Sequence, residues 1–296
     1  MKIGIVGSGP RAKLYHDLIT RSHSVDYVFT TNTNISFANT KTSNFIQQDI
    51  DSVNLFFVIS KLGTNLLRAQ CVDAPNKIIM VEKPLFMLKE HYTFASNQTY
   101  VMYNRRFYNT VSVLKDHVQK HGLRSINVAY NECSTDKKNK YNKLEKKNRS
   151  TIFFVHLLDI VQYITSSYGN VELVWKSQRK DAWTGMCNCV LRAGDIEIFV
   201  NVYSDSGAST FITGQCQNDT FFELSPLETL KIYKGVSVHE ESGIREYKRT
   251  LITNVEENGN YSISKMIDYI FSGDYTNMCT IEQEKNKTLI LESITA

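Results

Sequence analysis

The first hundred residues alternate short apolar runs with amphipathic stretches. Two of the runs, 55–59 and 78–81, are apolar without interruption, which is typical of strands buried on both faces of a parallel sheet. The pattern predicts strands over 2–6, 25–29, 55–59, 77–81 and 100–103, and helices over 13–20 and 66–71. Because strands that alternate with helices imply βαβ units, this region is predicted to form a parallel sheet with helices on its faces.

The pattern changes in the second part of the chain. A helix predicted over 111–121, a β-like stretch at 125–130 and a strongly apolar helix at 151–165 precede a series of strand candidates with no helix between them. The series covers 171–177, 186–191, 195–203, 208–215, 220–223 and 229–233, and helices are predicted again over 261–271 and 281–294. Consecutive strands without crossover helices favour an antiparallel sheet. We therefore predict two domains, an α/β domain at 1–103 and an α+β domain with a mostly antiparallel sheet at 104–296.

Composition and charge narrow the class of protein. The 296 residues are 42% hydrophobic and 22% charged with only four prolines, as in an ordinary folded protein. The net charge of +4 conceals a local +5, since seven basic residues and two acids fall within 136–149. Proteins that bind nucleic acid through its phosphates spread basic residues over a whole face, so no nucleic-acid partner is expected. The lysine-rich segment is either a solvated loop or a contact to an anionic small-molecule substrate.

The cysteines and the apolar segments indicate the compartment. The six cysteines are scattered without the paired spacing of a zinc site, so we expect free thiols in a reducing compartment and no metal site. The apolar run after Met1 and Lys2 is too short for a signal peptide, and no window approaches twenty apolar residues. A cytoplasmic protein that does not enter a membrane is expected.

The strongest motif follows the first strand. Gly7-x-Gly9-x-x-Ala12 stands where a strand gives way to a helix. In a dinucleotide site the first glycine allows a tight turn, the second lets a pyrophosphate approach the backbone, and the small third residue lets helix pack on strand. The alternative is a plain glycine turn. We predict a Rossmann-type, doubly wound domain whose cofactor contacts in this loop are Gly7, Ser8, Gly9, Pro10 and Arg11.

The end of the second strand bears on the choice of cofactor. A carboxylate there binds the ribose 2′-hydroxyl of NAD, but this strand ends in Thr30, Thr31 and Asn32 without an acid. Hydroxyl and amide side chains, with Lys41 in possible reach, tolerate a 2′-phosphate. Thr31 and Asn32 are therefore predicted cofactor contacts, and the sequence favours NADP over NAD. The alternative is that no side chain recognises the ribose.

A family resemblance enters at the predicted strand 77–81, which leads into Glu82-Lys83-Pro84. With the glycine motif, this resembles the Gfo/Idh/MocA family of NAD(P)-dependent oxidoreductases, which act mostly on sugars, inositols and nucleotide sugars. The resemblance implies that Glu82 and Lys83 border the cofactor and that Lys83 is a catalytic acid/base group beside the nicotinamide. Such a role is chemically reasonable because desolvation in a cleft lowers the pKa of a lysine. The structural alternative is a Lys83–Glu82 pair at a strand end.

Two further segments match the family less specifically. The loop at 60–65 takes the place of the family's Thr-Pro-Asn-x-x-His loop, with Lys61 for proline and Asn65 for histidine. The resemblance implies that Ser60 and Lys61 contact the cofactor. Tyr103–Phe107 resembles the segment that opens the substrate domain. There Asn104 and Arg106 are predicted substrate ligands, although a structural ion pair is an equal alternative for Arg106.

The apolar helix at 151–165 carries the last signal. His156 and Asp159 are three residues apart on one helix face and need partners in so apolar a setting. They match the family's His-x-x-Asp, which implies that both face the substrate and that His156 is catalytic. The family's preceding aspartate is Ile152 here. The alternative for His156 is a satisfied core histidine.

The sequence therefore predicts an NADP- or NAD-dependent oxidoreductase that acts on a hydroxyl or ketone of a sugar or nucleotide sugar. Lys83 and His156 would be its acid/base groups. Loss of the family aspartate leaves two alternatives open: an imine or tetrapyrrole reductase on the same scaffold, or a non-catalytic relative that binds a cofactor or ligand. The resemblance also implies a homodimer or homotetramer, because the open face of the second sheet often forms an interface in this family.

Overall fold

The computed structural model of the protein describes residues 1–31, 37–61, 63–132, 154–177, 188–204, 210–241, 244–257 and 261–295. Parallel strands make up most of its first sheet. Its parallel strands are β1 (Ile3–Val6), β2 (Tyr27–Phe29), β3 (Lys41–Ser43), β4 (Leu55–Val58), β5 (Ile78–Glu82) and β6 (Gln98–Met102). Every residue of β1 and of β4 is buried, as their uninterrupted apolar sequences predict.

The strand order places a crevice beside β1. With the later strand β15 (Cys279–Thr280), the described strands of this sheet run in the order β15-β6-β5-β4-β1-β2-β3, in which β1 pairs in parallel with β2 on one side and β4 on the other. The chain therefore leaves β1 in one direction for β2 and later returns to the other side for β4, which makes β1 the topological switch point of a doubly wound sheet. The helices of this region are α1 (Pro10–Ile19), α2 (Gln47–Ser52) and α3 (Asn65–Gln70).

The second sheet is mostly antiparallel. Its described order is β14-β13-β12-β11-β7-β10-β9-β8, and β7 with β10 is its parallel pair. The strands are β7 (Leu123–Glu132), β8 (Val171–Lys176), β9 (Asn188–Ala193), β10 (Ile196–Ser204), β11 (Phe211–Cys216), β12 (Thr220–Leu224), β13 (Thr229–Glu241) and β14 (Ile244–Glu256). Helix α4 (Asn109–His121) contacts α5 (Val155–Ile164) and the sheet. The last elements are α6 (Tyr261–Ser272), β15 (Cys279–Thr280) and α7 (Ile281–Thr295).

The predicted fold class is confirmed: a doubly wound parallel sheet is followed by a largely antiparallel one. The chain divides into two compact units, the first containing Met1–Tyr103 and Met266–Leu289. The predicted domain limits, 1–103 and 104–296, stay a prediction. In the structure, Met266–Leu289 belongs to the first unit, although it lies in the range predicted for the second domain. The reason is β15, which pairs antiparallel with β6 and so extends the first sheet.

Several predicted features lie outside the described residues. These are Asn32, Ile152 and the lysine-rich segment at 136–149. In the part of the chain that is described, no helix has both the length and the apolar character needed to cross a membrane.

Candidate functional site

A cleft of about 650 Å³ opens in the first unit where β1, β2 and β4 end. Such crevices at the carboxyl ends of parallel strands, beside a switch point, are the usual ligand sites of open α/β sheets, and this volume is in the range of small-molecule pockets. The cleft is lined by the glycine turn, the ends of β2 and β4 and two flanking segments: Gly7, Ser8, Gly9, Pro10, Arg11, Phe29, Thr30, Thr31, Phe45, Ile59, Ser60, Lys61, Thr64 and Arg68.

The glycines of the turn are required for different reasons. Gly7 has φ +131°, and a Cβ atom there would lie 2.0 Å from the carbonyl oxygen of Ile59, so the packing of the turn on the loop after β4 excludes any side chain. Gly9 has φ −77°, an ordinary conformation, and a Cβ atom there would meet no described atom within 4 Å. Ala12 is fully buried. Gly7 and Ala12 therefore serve the fold, whereas Gly9 leaves space beside the cleft.

The first turn of α1 is suited to an anion. The helix begins at Pro10, no side chain caps its N terminus, and no acid stands in its first turn. The N–H groups and the positive end of the helix dipole consequently remain available to a ligand. The cations Arg11, Lys61 and Arg68 add charge of the same sign, and no acidic side chain is among the described residues that line the cleft.

The end of β2 provides hydroxyl groups. Thr30 is buried and its Oγ1 donates to Ser8 Oγ at 3.0 Å, which ties the glycine turn to the end of β2. Thr31, a predicted cofactor contact, is exposed and lines the cleft. Lys41 is engaged elsewhere: its Nζ lies 2.8 Å from Asp49 Oδ1, and this ion pair raises the pKa of Lys41 and lowers that of Asp49. Lys41 is not among the residues that line the cleft.

Glu82, at the end of β5, is held by residues of α1. Its carboxylate lies 3.3 Å from the Arg11 guanidinium and accepts a hydrogen bond of 3.3 Å from the Tyr15 hydroxyl. Burial raises the pKa of Glu82, an effect that Arg11 and Lys83 oppose. Burial and the neighbouring carboxylate raise the pKa of Tyr15 as well. Glu82 thus anchors α1 to the strand that leads to Lys83, and neither Glu82 nor Lys83 is among the described residues lining the cleft.

Asn65 fixes the backbone on both sides of Lys83. Its Nδ2 donates to the carbonyl oxygens of Glu82 at 2.8 Å and Pro84 at 3.1 Å, and its Oδ1 accepts from the backbone N–H of Ser60 at 3.2 Å. The side chain is buried at the start of α3. One amide therefore joins the loop after β4 to the turn that carries Lys83, which itself is half-buried.

Arg106 and Asp159 in the second unit bind each other. The Arg106 Nε lies 2.9 Å from Asp159 Oδ2 and the terminal nitrogen 2.7 Å from Oδ1, a bidentate ion pair between side chains that are each 1% exposed. The guanidinium also lies over the ring of Tyr163 at 5.0 Å. From the sequence, both residues are predicted substrate ligands, with an ion pair as the alternative for Arg106. The geometry favours the ion pair, because both charged groups are enclosed and satisfied by each other.

The other two predicted substrate residues, His156 and Asn104, also lie in the second unit. His156 is half-buried near the start of α5, one turn before Asp159. Asn104 begins a short 3₁₀ helix, and its Nδ2 donates to Ser262 Oγ at 3.0 Å. Lys83 belongs to the first unit and His156 to the second, so their predicted convergence on one substrate stays a prediction.

Comparison with known proteins yields structural but not sequence relatives. No family model and no curated protein matches the sequence. Among solved structures, UDP-N-acetylglucosamine 3-dehydrogenase from Acidithiobacillus ferrooxidans has a TM-score of 0.67 at 12% identity, over 99% of this chain and 95% of the other. The myo-inositol dehydrogenase of Lactobacillus casei, in complex with NAD(H) and myo-inositol, has a TM-score of 0.64 at 12% identity over 98% and 92%. A super-repressor mutant of Gal80p from Saccharomyces cerevisiae has a TM-score of 0.67 at 12% identity over 99% and 94%.

The chain has the fold of the Gfo/Idh/MocA oxidoreductases. The resemblance inferred from the glycine turn and Glu82-Lys83-Pro84 is confirmed at the level of the fold. Identities of this size carry no information on the substrate.

On this Gfo/Idh/MocA fold, several residues of the site were not predicted from the sequence, and three of them bear on its chemistry. Phe45 and Arg68 line the cleft, and Asn65 supports Lys83. Asn65 had been noted as a departure from the family's histidine, without a role. Phe45 and Arg68 carried no signal, because neither belongs to a motif and their contact depends on the packing of α3 against the turn after β3.

Proposed function

We propose that this chain is an oxidoreductase that binds a nicotinamide dinucleotide in the cleft of its first unit. One observation carries the proposal: the uncapped N terminus of α1, the glycine turn and three cationic side chains line a single cleft at the switch point of a doubly wound sheet. A pyrophosphate needs this combination of free backbone N–H groups, positive charge and absent side chains.

The residues present fit such a cofactor. The pyrophosphate would be held by the N–H groups at the start of α1, next to Gly9, with Lys61 supplying charge at the rim and Arg11, whose charge Glu82 partly offsets, beside it. Thr31 at the end of β2 offers its hydroxyl to the ribose. When bound, a nicotinamide dinucleotide supplies or accepts a hydride. The protein's task is to orient the reacting carbon and to handle the accompanying proton.

Lys83 is our candidate for the group that donates or accepts the proton. The amide of Asn65 holds the carbonyl groups that flank Lys83, so the backbone that carries this flexible side chain is fixed. We propose that its ammonium group donates a proton to a substrate oxygen. His156 is proposed as the second acid/base group, on the basis of the resemblance. The buried Arg106–Asp159 pair is proposed to hold α5, the helix that carries His156, in place rather than to bind substrate.

The proposed substrate is a hydroxyl or ketone of a sugar, a polyol or a nucleotide sugar, the class that the family resemblance of the sequence implies; two of the structural relatives are named as dehydrogenases of such compounds. A basic segment at 136–149 would suit an anionic member of this class. An imine or tetrapyrrole reductase is retained as the alternative reaction.

Turnover tests the proposal. Oxidation of NADH and NADPH should be followed at 340 nm with panels of keto-sugars, nucleotide keto-sugars and cyclic imines, and the reverse reaction with the corresponding alcohols and amines. We expect at least one substrate to be converted and Lys83→Ala to lower kcat by at least a hundredfold, as for loss of an acid/base group. Lys120→Ala, at an exposed site on α4, is the matched control and should keep full activity. Full activity of Lys83→Ala would exclude the proposed role of Lys83.

A second candidate is a ligand-binding regulator without catalysis. The fold is shared with Gal80p, which is named as a repressor, and two of the four side chains predicted to bind substrate, Arg106 and Asp159, are paired with each other. Binding of a dinucleotide without turnover across all panels would favour this candidate over the oxidoreductase.

We also propose that two copies of the chain associate through the open face of the second sheet. Trp175 and Phe199 are 54% and 41% exposed, and both stand beside Val190 in the registered strands β8, β9 and β10. Exposed aromatic residues on a flat sheet face are typical of interfaces. Light scattering should show a dimer or a tetramer for the native chain and a smaller species for Trp175→Lys. A monomeric native chain would refute this proposal.

A further inference from the structure

The turn between β3 and α2 contains a strained aromatic residue. Phe45 has φ +55°, in the left-handed region that bulky residues rarely adopt. Such a conformation is strained and persists only where the surroundings enforce it, which is a reason to ask what the residue does. Its ring is half-buried, lines the cleft and contacts Phe29 with the ring centroids 5.8 Å apart.

Arg68 on α3 lies on the other side of this ring. Its guanidinium carbon is 4.8 Å from the centroid of Phe45, and the residue is half-buried and lines the same cleft. Stacking on an aromatic ring restricts the guanidinium to one plane and leaves its N–H edges available. A chain of contacts thus runs from Arg68 through Phe45 to Phe29, which is the last residue of β2.

The charges around Arg68 favour an anionic ligand. Among the described residues, no carboxylate lies within 4 Å of its guanidinium, and no acid lines the cleft. Lys41 is the contrasting case, because its ammonium group is already paired with Asp49 and lies outside the cleft lining. The cation that remains available beside the end of β2 is therefore Arg68 and not Lys41, which the sequence analysis had considered.

The end of β2 is where a doubly wound fold meets the adenosine ribose. A carboxylate at this point selects the 2′-hydroxyl of NAD, whereas a nearby arginine accommodates the 2′-phosphate of NADP. The described residues here are Thr30 and Thr31, without an acid, and Arg68 reaches the same part of the cleft from α3. A phosphate would accept two parallel hydrogen bonds from a guanidinium held in this way.

We propose that Arg68, stacked on Phe45, binds the 2′-phosphate of NADP(H) and thereby makes the cleft selective for NADP(H) over NAD(H). The inference rests on the proposed function, since it requires a dinucleotide in this cleft. It adds the two residues that distinguish the cofactors, and it assigns a purpose to the strained conformation of Phe45.

Binding measurements can test the inference without turnover. Titration calorimetry should compare NADPH with NADH, and the fragment 2′,5′-ADP with 5′-AMP, for the native chain and for Arg68→Ala, Arg68→Gln and Phe45→Leu. We expect the native chain to prefer the 2′-phosphorylated member of each pair. Arg68→Ala should weaken NADPH and 2′,5′-ADP roughly tenfold to a hundredfold, the effect of one charge-assisted contact, and change NADH and 5′-AMP less than about threefold.

The controls separate this inference from the proposed function. Lys41→Ala removes a nearby cation that is already paired, so it should leave all four affinities unchanged. Arg68→Gln keeps a planar, hydrogen-bonding side chain, so the loss it shares with Arg68→Ala reports the charge and not misfolding. If NADH binds as well as NADPH, or if Arg68→Ala weakens both equally, the inference is wrong while the dinucleotide site stands. If neither dinucleotide binds the native chain, the proposed function itself fails.

Discussion

Replacing Gly9 by valine should abolish dinucleotide binding and leave the fold intact. Gly9 has φ −77° and ψ 174°, a conformation that β-branched residues adopt readily, and a Cβ atom there meets no described atom within 4 Å. The protein itself therefore has no need of a glycine at this position. As the residue before α1, Gly9 contributes only its backbone to the helix start, so the substitution should lower the free energy of unfolding by less than about 1 kcal/mol.

The effect on the ligand is expected to be much larger. The pyrophosphate must approach the backbone of this turn closely, and the valine side chain occupies that space. Micromolar binding corresponds to about 8 kcal/mol, and loss of the backbone contacts at the start of α1 should weaken it at least a hundredfold, or by about 2.8 kcal/mol. Calorimetric titration with NADPH and NADH, beside thermal melting of the same samples, measures both quantities.

Gly7→Ala is the matched control, because it should fail in the opposite way. Its Cβ atom would lie 2.0 Å from the Ile59 carbonyl oxygen, and φ is +131°, so the fold and not only the ligand is disturbed. A fall in the free energy of unfolding of at least roughly 1–3 kcal/mol is expected. Native-like affinity of Gly9→Val for both dinucleotides would refute the assignment of the cleft.

Three further predictions follow from the buried contacts. Asp159→Ala leaves the Arg106 guanidinium buried without its carboxylate and should cost about 3–5 kcal/mol in urea unfolding; a stable variant that has lost only substrate affinity would instead make Asp159 a substrate ligand. Asn65→Ala removes the contacts that flank Lys83, so kcat should fall while the Kd of the dinucleotide changes little; an unchanged kcat would show that the turn keeps its position without the amide. Burial raises the pKa of Glu82, so the native state binds its proton more tightly than the unfolded chain does, and the contribution of Glu82 to stability falls as the pH rises from about 4.5 through the raised pKa. The free energy of unfolding of Glu82→Gln should lack this decline, and parallel pH profiles of the two proteins would contradict the argument.

Local patterns predicted most of the architecture, although β3, α2 and β14 were not among the predicted elements. Both sheets could be predicted because the spacing of apolar residues depends on whether a strand is buried on one face or on two. The first sheet was predicted from the uninterrupted apolar strands at 55–59 and 78–81, and the second from the consecutive strand candidates after 171. The glycine turn could also be predicted from the sequence, since the contacts that any such turn makes require small residues at Gly7 and Ala12.

Features that depend on contacts between residues far apart in the sequence could not be predicted from local patterns. β15 is two residues long and exists because β6 offers a free edge, so no local pattern marks it. The stacking of Arg68 on Phe45 joins α3 to a turn more than twenty positions earlier. The pairing of Arg106 with Asp159 was open as one of two readings, and only their mutual geometry in the fold favours the ion pair.

Direct titration of the native chain tests whether the cleft beside β1 binds a nicotinamide dinucleotide. Purified protein, freed of nucleotide, should be titrated with NADPH and NADH while protein-enhanced nicotinamide fluorescence is recorded. We expect saturable binding of at least one dinucleotide at micromolar concentration, with NADPH the tighter. Absence of binding for both, with protein that melts cooperatively, would contradict it.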